Sequence, residues 1–130
     1  MVAFNYRMPN LNAALGCAQL EQLPEMLECK RELAARWREA FAGLGGVRFI
    51  DEPSWGRSNF WLNALSLDPP YRSQRQGLLT ALDGAGYYCR PFWTPLHLLP
   101  MYRSQPAASL PVAEDLAARG FNLPSSAGLI

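Results

Sequence analysis

The chain is 130 residues long, 49% hydrophobic, and carries a formal charge of +1. That length suits one domain with enough apolar material for a core. The charge is spread along the chain, so composition offers no electrostatic footprint for nucleic acid or an anionic membrane surface. Apolar runs are broken by Pro91, Pro95 and Pro100, and none is long enough to span a bilayer.

Met1 to Arg7 shows no basic-then-apolar leader pattern. The three cysteines, Cys17, Cys29 and Cys89, fit neither a disulfide framework nor a metal-ligand spacing. Reduced thiols packing as small hydrophobes in the cytoplasm are the expectation. Arginine supplies 11 of the 12 basic side chains, and Lys30 is the single lysine.

In chain order, Pro9 suits the first turn of a helix running from Asn10 to Leu23. Ala13, Ala14, Gly16 and Ala18 make that helix slim enough for another backbone to approach closely. Pro24 is expected to kink it or start a new one. Leu23, Met26, Leu27, Leu33, Ala34, Trp37 and Phe41 then recur at helical spacing, with glutamates mostly opposite. Gly43, Gly45 and Gly46 end this element. Val47 to Ile50 reads as a short strand and Ser58 to Leu67 as a longer one. Tyr71 to Ala85 has a helical pattern, Tyr87 to Arg90 a third strand, and Pro91 to Tyr102 is proline-rich and irregular, with one possible turn at Leu98 to Tyr102. Leu110 to Arg119 is a short helix stopped by Gly120. The expected class is α+β, about three mainly antiparallel strands with helices on one face. So small a sheet is near the limit of independent stability.

Four candidates for chemistry emerge from the residues alone. His97, the only histidine, sits between Pro95 and Pro100. Its apolar surroundings favour a structural role, while its proline-stiffened loop favours binding. Tyr87, Tyr88, Arg90, Phe92 and Trp93 combine stacking surface with an anion clamp, although core and rim is the plainer reading. Asn5-Tyr6-Arg7, ahead of the first helix, can offer donors to a phosphate. Lys30 falls in the apolar stripe, where a snorkelling ammonium reaching Glu28 or Glu32 is favoured over a reactive amine. No phosphate loop, metal cluster or nucleophile motif is present.

Four ordered blocks carry a resemblance. They are Asn5-Tyr6-Arg7-Met8 with Asn10-Leu11-Asn12-Ala13-Ala14-Leu15-Gly16, and Ser58-Asn59-Phe60-Trp61-Leu62-Asn63-Ala64. The third is Arg90-Pro91-Phe92-Trp93-Thr94-Pro95-Leu96-His97 with Pro100-Met101-Tyr102, and the last is Ala113-Glu114 leading to Asn122-Leu123-Pro124-Ser125-Ser126. With these blocks the chain resembles the DegT/DnrJ/EryC1/StrS sugar aminotransferases, most closely the branch aminating nucleotide-linked 4-keto sugars of the bacillosamine and legionaminic acid type.

The resemblance implies a fold-type-I enzyme that uses pyridoxal phosphate, acts as a homodimer, takes its amino group from an amino acid, usually glutamate, and works in surface-glycan synthesis. Residues 1–130 would be its carboxy-terminal small domain, with the helix that links it to a large cofactor-binding domain. The Schiff-base lysine lies upstream of the Asn-Tyr-Arg block in the family, and Lys30 matches no such position, so no catalytic residue is carried over. The resemblance implies that Asn5, and less directly Arg7, reach the cofactor phosphate across a dimer. It places His97, Trp93, Arg90 and Tyr102 near the nucleotide-sugar, reversing the structural reading of His97. Both ends look cut, as in an isolated domain or a remnant gene, and the chain alone is expected to be inactive. The alternatives are a stand-alone, non-catalytic binding or dimerisation domain, and part of a dehydratase of the same family.

Overall fold

A computed structural model describes residues 6–130. Its longest element is helix α1, Asn10–Phe41, a continuous helix of 32 residues with Pro24 inside it. Pro24 therefore neither ends α1 nor begins another helix. It removes one donor, to the carbonyl of Leu20, in a stretch that lies in solvent and can be hydrated there. Pro9 sits one position before the helix, and its carbonyl accepts the N–H of Ala13 at 3.0 Å.

The four strands are β1 (Val47–Ile50), β2 (Asn63–Leu67), β3 (Arg90–Pro91) and β4 (Gly120–Leu123). They form one antiparallel sheet in the order β1-β2-β4-β3. Helix α2 (Arg75–Gly84) follows β2 through a 3-10 turn at Pro69–Gln74, and helix α3 (Pro111–Arg119) leads directly into β4. Gly46 closes the turn between α1 and β1 at φ +86, a conformation open to glycine. A side chain there would also meet Tyr71 at 2.8 Å.

Register sets the two faces. Val47 faces Leu67, Phe49 faces Leu65, and Leu65 in turn faces Phe121. Leu65, Leu67 and Phe121 with Leu79 and Leu123 make the core, and Val47 and Phe49 of β1, Trp37 and Phe41 of α1 and Leu78 and Leu82 of α2 pack against it. The apolar stripe of α1 thus does what its spacing predicts from Leu33 to Phe41. The indole of Trp37 donates to the Pro124 carbonyl at 3.1 Å, closing the polar end of a mostly apolar contact.

The reverse face carries Arg48, Ile50, Ala64, Ser66 and Asn122, and α3 flanks it beside Ala64 and Asn122. Relative to the expected three strands with helices on one face, the sheet gains β4 and covers part of its second face. β4 is buried on both sides, so it shows no alternation of polar and apolar residues. The third strand is shorter than Tyr87 to Arg90, with only Arg90 and Pro91 pairing to β4.

Candidate functional site

Ser58 to Leu62, expected as strand, instead forms a fastened loop at the mouth of β2. Arg31 grips Glu52 with two bonds, Nη1 to Oε2 at 3.1 Å and Nη2 to Oε1 at 2.7 Å. The same pair holds Ser58 at both ends of its backbone. Arg31 donates to the Ser58 carbonyl at 2.6 Å, and Glu52 accepts the Ser58 N–H at 2.7 Å. The bond from Arg31, helped by the Ser58 N–H, holds the Glu52 carboxyl down to about 2.

Ser58 Oγ then accepts the Phe60 N–H, and Asn59 Oδ1 accepts the Trp61 N–H, both at 3.0 Å. Phe60 takes φ 45 with its ring buried and the Arg31 guanidinium 5.5 Å from its centroid. Left-handed backbone at a bulky residue is strained, and it persists here because packing and four hydrogen bonds over-determine the loop.

The loop's outward product is Trp61. Its indole stacks on that of Trp93 with centroids 6.1 Å apart and planes 18° from parallel, and both are largely exposed. Beneath the pair lies a cleft of about 640 Å³, lined by Ile50, Asn59, Leu62, Ala64, Phe92, Leu116 and Asn122, with no charged side chain among them. An adjoining cleft of about 660 Å³ shares Leu62, Phe92, Trp93 and Asn122 and adds Tyr88, Arg90, Thr94 and Ser125. Both are of a size that holds small organic ligands. Phe92 can lie over β4 only because residue 120 is glycine. A Cβ there would come within 2.2 Å of the ring.

The sequence-derived candidates divide between neighbouring clefts. Trp93 and Arg90 meet in the second. His97 and Tyr102 line a third of about 420 Å³, formed by two 3-10 turns, Leu96–Leu98 and Pro100–Tyr102, and bordered by Pro95, which also lines the first. Arg7 is exposed ahead of α1 and lines none of these clefts, and Asn5 lies outside the described residues. His97 has a carboxylate partner after all: Nε2 is 2.9 Å from Glu114 Oε1 on α3. That contact spans 17 residues, which spacing in the sequence does not reveal. It fixes the ring's orientation and leaves Nδ1 as the second hydrogen-bonding atom.

Lys30 does not reach Glu28 or Glu32. Its ammonium donates to the Ser125 carbonyl at 2.7 Å and to the Trp61 carbonyl at 3.3 Å, while Glu32 is bound by Arg36 at 2.5 Å. The lysine is thus a fastener between α1, the Trp61 loop and the chain after β4. Three residues of these clefts escaped selection from sequence, namely Asn59, Trp61 and Asn122. All three stood inside the quoted blocks, but only the fold brings them together. Among the described residues no group of three or more His, Cys, Asp and Glu is placed to hold a metal ion, and no helix is long and apolar enough to cross a membrane.

For pyridoxal phosphate the fit is partial. The one lysine, Lys30, is hydrogen-bonded to two backbone carbonyls, those of Ser125 and Trp61. Arg7, beside the start of α1, is suited to a share in phosphate binding and nothing more.

The chain's likeness to known proteins agrees with this arrangement. The profile of the DegT/DnrJ/EryC1/StrS aminotransferase family matches residues 1–130. GDP-perosamine synthase of Vibrio cholerae is 38% identical over 130 residues, covering 99% of this chain and 35% of that protein. The chain thus spans about a third of the length of the curated relatives it matches. The solved structure of DesI in the presence of its TDP-sugar product superposes with a TM-score of 0.80 at 33% identity, over 89% of this chain and 30% of that one. GDP-4-keto-6-deoxy-D-mannose-3-dehydratase of Escherichia coli, solved with bound hydrated PLP, shares the fold at a TM-score of 0.82 and 21% identity, over 98% of this chain and 33% of that one. The chain belongs to the DegT/DnrJ/EryC1/StrS aminotransferase family.

Proposed function

We propose that residues 1–130 are the small carboxy-terminal domain of a cytoplasmic enzyme that uses pyridoxal phosphate to move an amino group from glutamate onto a nucleotide-linked 4-keto sugar for surface glycans. The observation that carries this reading is the pair of aromatic clefts with Arg90 at one side, in a chain 38% identical to a GDP-perosamine synthase. Trp93, Arg90, His97 and Tyr102 belong to the nucleotide-sugar side. Asn5 and Arg7 belong to the cofactor side, near the phosphate. The cofactor supplies the electron sink for amino transfer, and this chain's residues bind and orient the sugar nucleotide.

The domain works inside a homodimer with a large cofactor-binding domain. Support comes from the first half of α1, where Leu11 is 81% exposed and Leu15 and Leu20 more than 60%. So many exposed leucines on one helix are expected of a surface that is covered in the assembled protein. The 130-residue chain is inactive alone because its one lysine, Lys30, matches no Schiff-base position of the family, and the two carbonyls that hold its ammonium are in keeping with a fastening role.

A chimera tests the proposal. The chain replaces the matching third of the Vibrio cholerae relative, and amino-sugar nucleotide formation is followed with glutamate as donor. Product formation is expected. A chimera that folds and binds pyridoxal phosphate yet makes no amino sugar sinks the reading. Borohydride reduction of the chain alone with pyridoxal phosphate should leave Lys30 unmodified, and a stoichiometric adduct there would contradict that fastening role.

A further inference from the structure

Asn122 is 7% exposed, sits on central strand β4, and opens onto both aromatic clefts. No described residue bonds its side-chain amide. Among the described residues the buried, unpartnered side-chain atom is Asn63 Oδ1 and not an atom of Asn122, so the Asn122 amide meets the open space of the clefts, where its donor and acceptor are available to what enters them. A carboxamide offers an acceptor and a donor side by side, the pattern that complements adjacent groups on the edge of a nucleobase.

The surroundings fit the same ligand. Trp61 and Trp93 are 65% and 69% exposed although they stack on each other. Their 6.1 Å separation is short of the roughly 7 Å that a ring held at contact distance from both would need. A flat heterocycle therefore adds to the pair from the cleft side, where every lining residue is uncharged. Charge is met next door. Arg90 is the direct cross-strand neighbour of Asn122, so the two share one face of the sheet, and Arg90 lines the second cleft. Neutral rings, then an amide, then a guanidinium repeat the order of base and phosphates in a nucleoside diphosphate.

We infer that the Trp61–Trp93 pair and Asn122 form the base-recognition site for the nucleoside diphosphate, with Arg90 on its phosphates. This rests on the nucleotide-sugar reading above and adds Trp61 and Asn122 as specificity-determining residues. The strained Ser58-to-Trp61 loop and Lys30 act as positioning groups for the Trp61 indole.

The test is a titration of the 130-residue chain, in a Trp55→Phe background, with GDP, UDP and dTDP, following tryptophan emission. At least one nucleotide should give a saturable change. Asn122→Leu should weaken its Kd at least tenfold, and Trp61→Ala should abolish the signal. Asn122→Asp, close in size, keeps the acceptor and removes the donor, so it should change which nucleotide binds best. That shift distinguishes recognition from loss of fold, which far-UV circular dichroism monitors. No saturable change with any nucleotide, a response to free hexose alone, or an Asn122→Leu Kd within twofold of native would overturn the inference. In the chimera, amino-sugar formation with a nucleotide KM unmoved by Asn122→Leu would remove this site and leave the proposed function standing. Nucleotide binding here without amino transfer would do the reverse.

Discussion

Gly120 offers a sharp test of how the clefts are built. Its backbone, at φ −93 and ψ 153, is one that alanine adopts freely, so Gly120→Ala introduces a steric effect alone. The new Cβ would stand 2.2 Å from two carbons of the Phe92 ring and 2.8 Å from the Leu116 carbonyl oxygen. Contact distance between carbons is about 3.5 Å, so the ring must retreat by about 1.3 Å. Overpacking of this kind costs about 1–3 kcal/mol. The stiffer unfolded chain returns about 0.4–1 kcal/mol. A net loss of about 1–2 kcal/mol follows, seen as a lower urea midpoint with unchanged slope. The contact predicts non-additivity as well. In a Phe92→Leu background the same substitution should lose at least half its effect, because the offending ring is gone. An unchanged midpoint, or strictly additive effects in the two backgrounds, would refute the packing argument.

Lys30→Met should destabilise by about 1.5–3 kcal/mol, the range for a hydrogen bond from a charged group, and should alter Trp61 emission. Arg36→Ala, which breaks the exposed pair with Glu32, should cost less than about 0.5 kcal/mol in the same urea titration. Phe121, 1% exposed at the centre of the core, should cost about 3–5 kcal/mol as Phe121→Ala. The Glu52 carboxyl is lowered to about 2, chiefly by its bond from Arg31, so the unfolded chain binds the proton more readily. Its contribution is complete above the ordinary carboxylate range near ~4.3 and is lost as pH falls through about 2. Asp51, lowered by the Arg38 hydrogen bond, acts in the same direction. Glu52→Gln should flatten the fall in urea midpoint between about pH 4.5 and 2, and parallel curves for the two proteins would count against this account.

Periodic features were legible in the sequence. The stripe of Leu33, Ala34, Trp37 and Phe41 identified the packed half of α1, and Val47 to Ile50 and the helix before Gly120 fell where expected. β4 was not legible, since four residues buried on both faces alternate in nothing and its first residue reads as a helix stop. Ser58 and Asn59 looked like strand because their side chains' bonds to the backbone two residues on are a turn device invisible in a hydropathy pattern. The candidate site was half legible. Trp93, Arg90 and His97 stood out by residue type, whereas the roles of Lys30, Asn122 and Glu114 depend on partners brought close only by the fold. Ordered motif blocks carried the family where single residues did not.

The two hydrogen bonds from Lys30 have a mechanical consequence. Helix α1 is about 48 Å long at 1.5 Å per residue, and its packed end begins near Lys30, so about 30 Å of it projects as an arm. A tilt of about 5° at the packed end moves the tip by about 2.6 Å over that length. The traffic also runs inward, because Lys30 sits at the fulcrum and holds the carbonyl of Trp61. Whatever grips the arm at Leu11 to Leu20 gains a handle on the aromatic wall more than 30 residues away in the chain. Trp61 emission should therefore respond to a partner clamped on the arm in the native protein and stay unmoved in Lys30→Met.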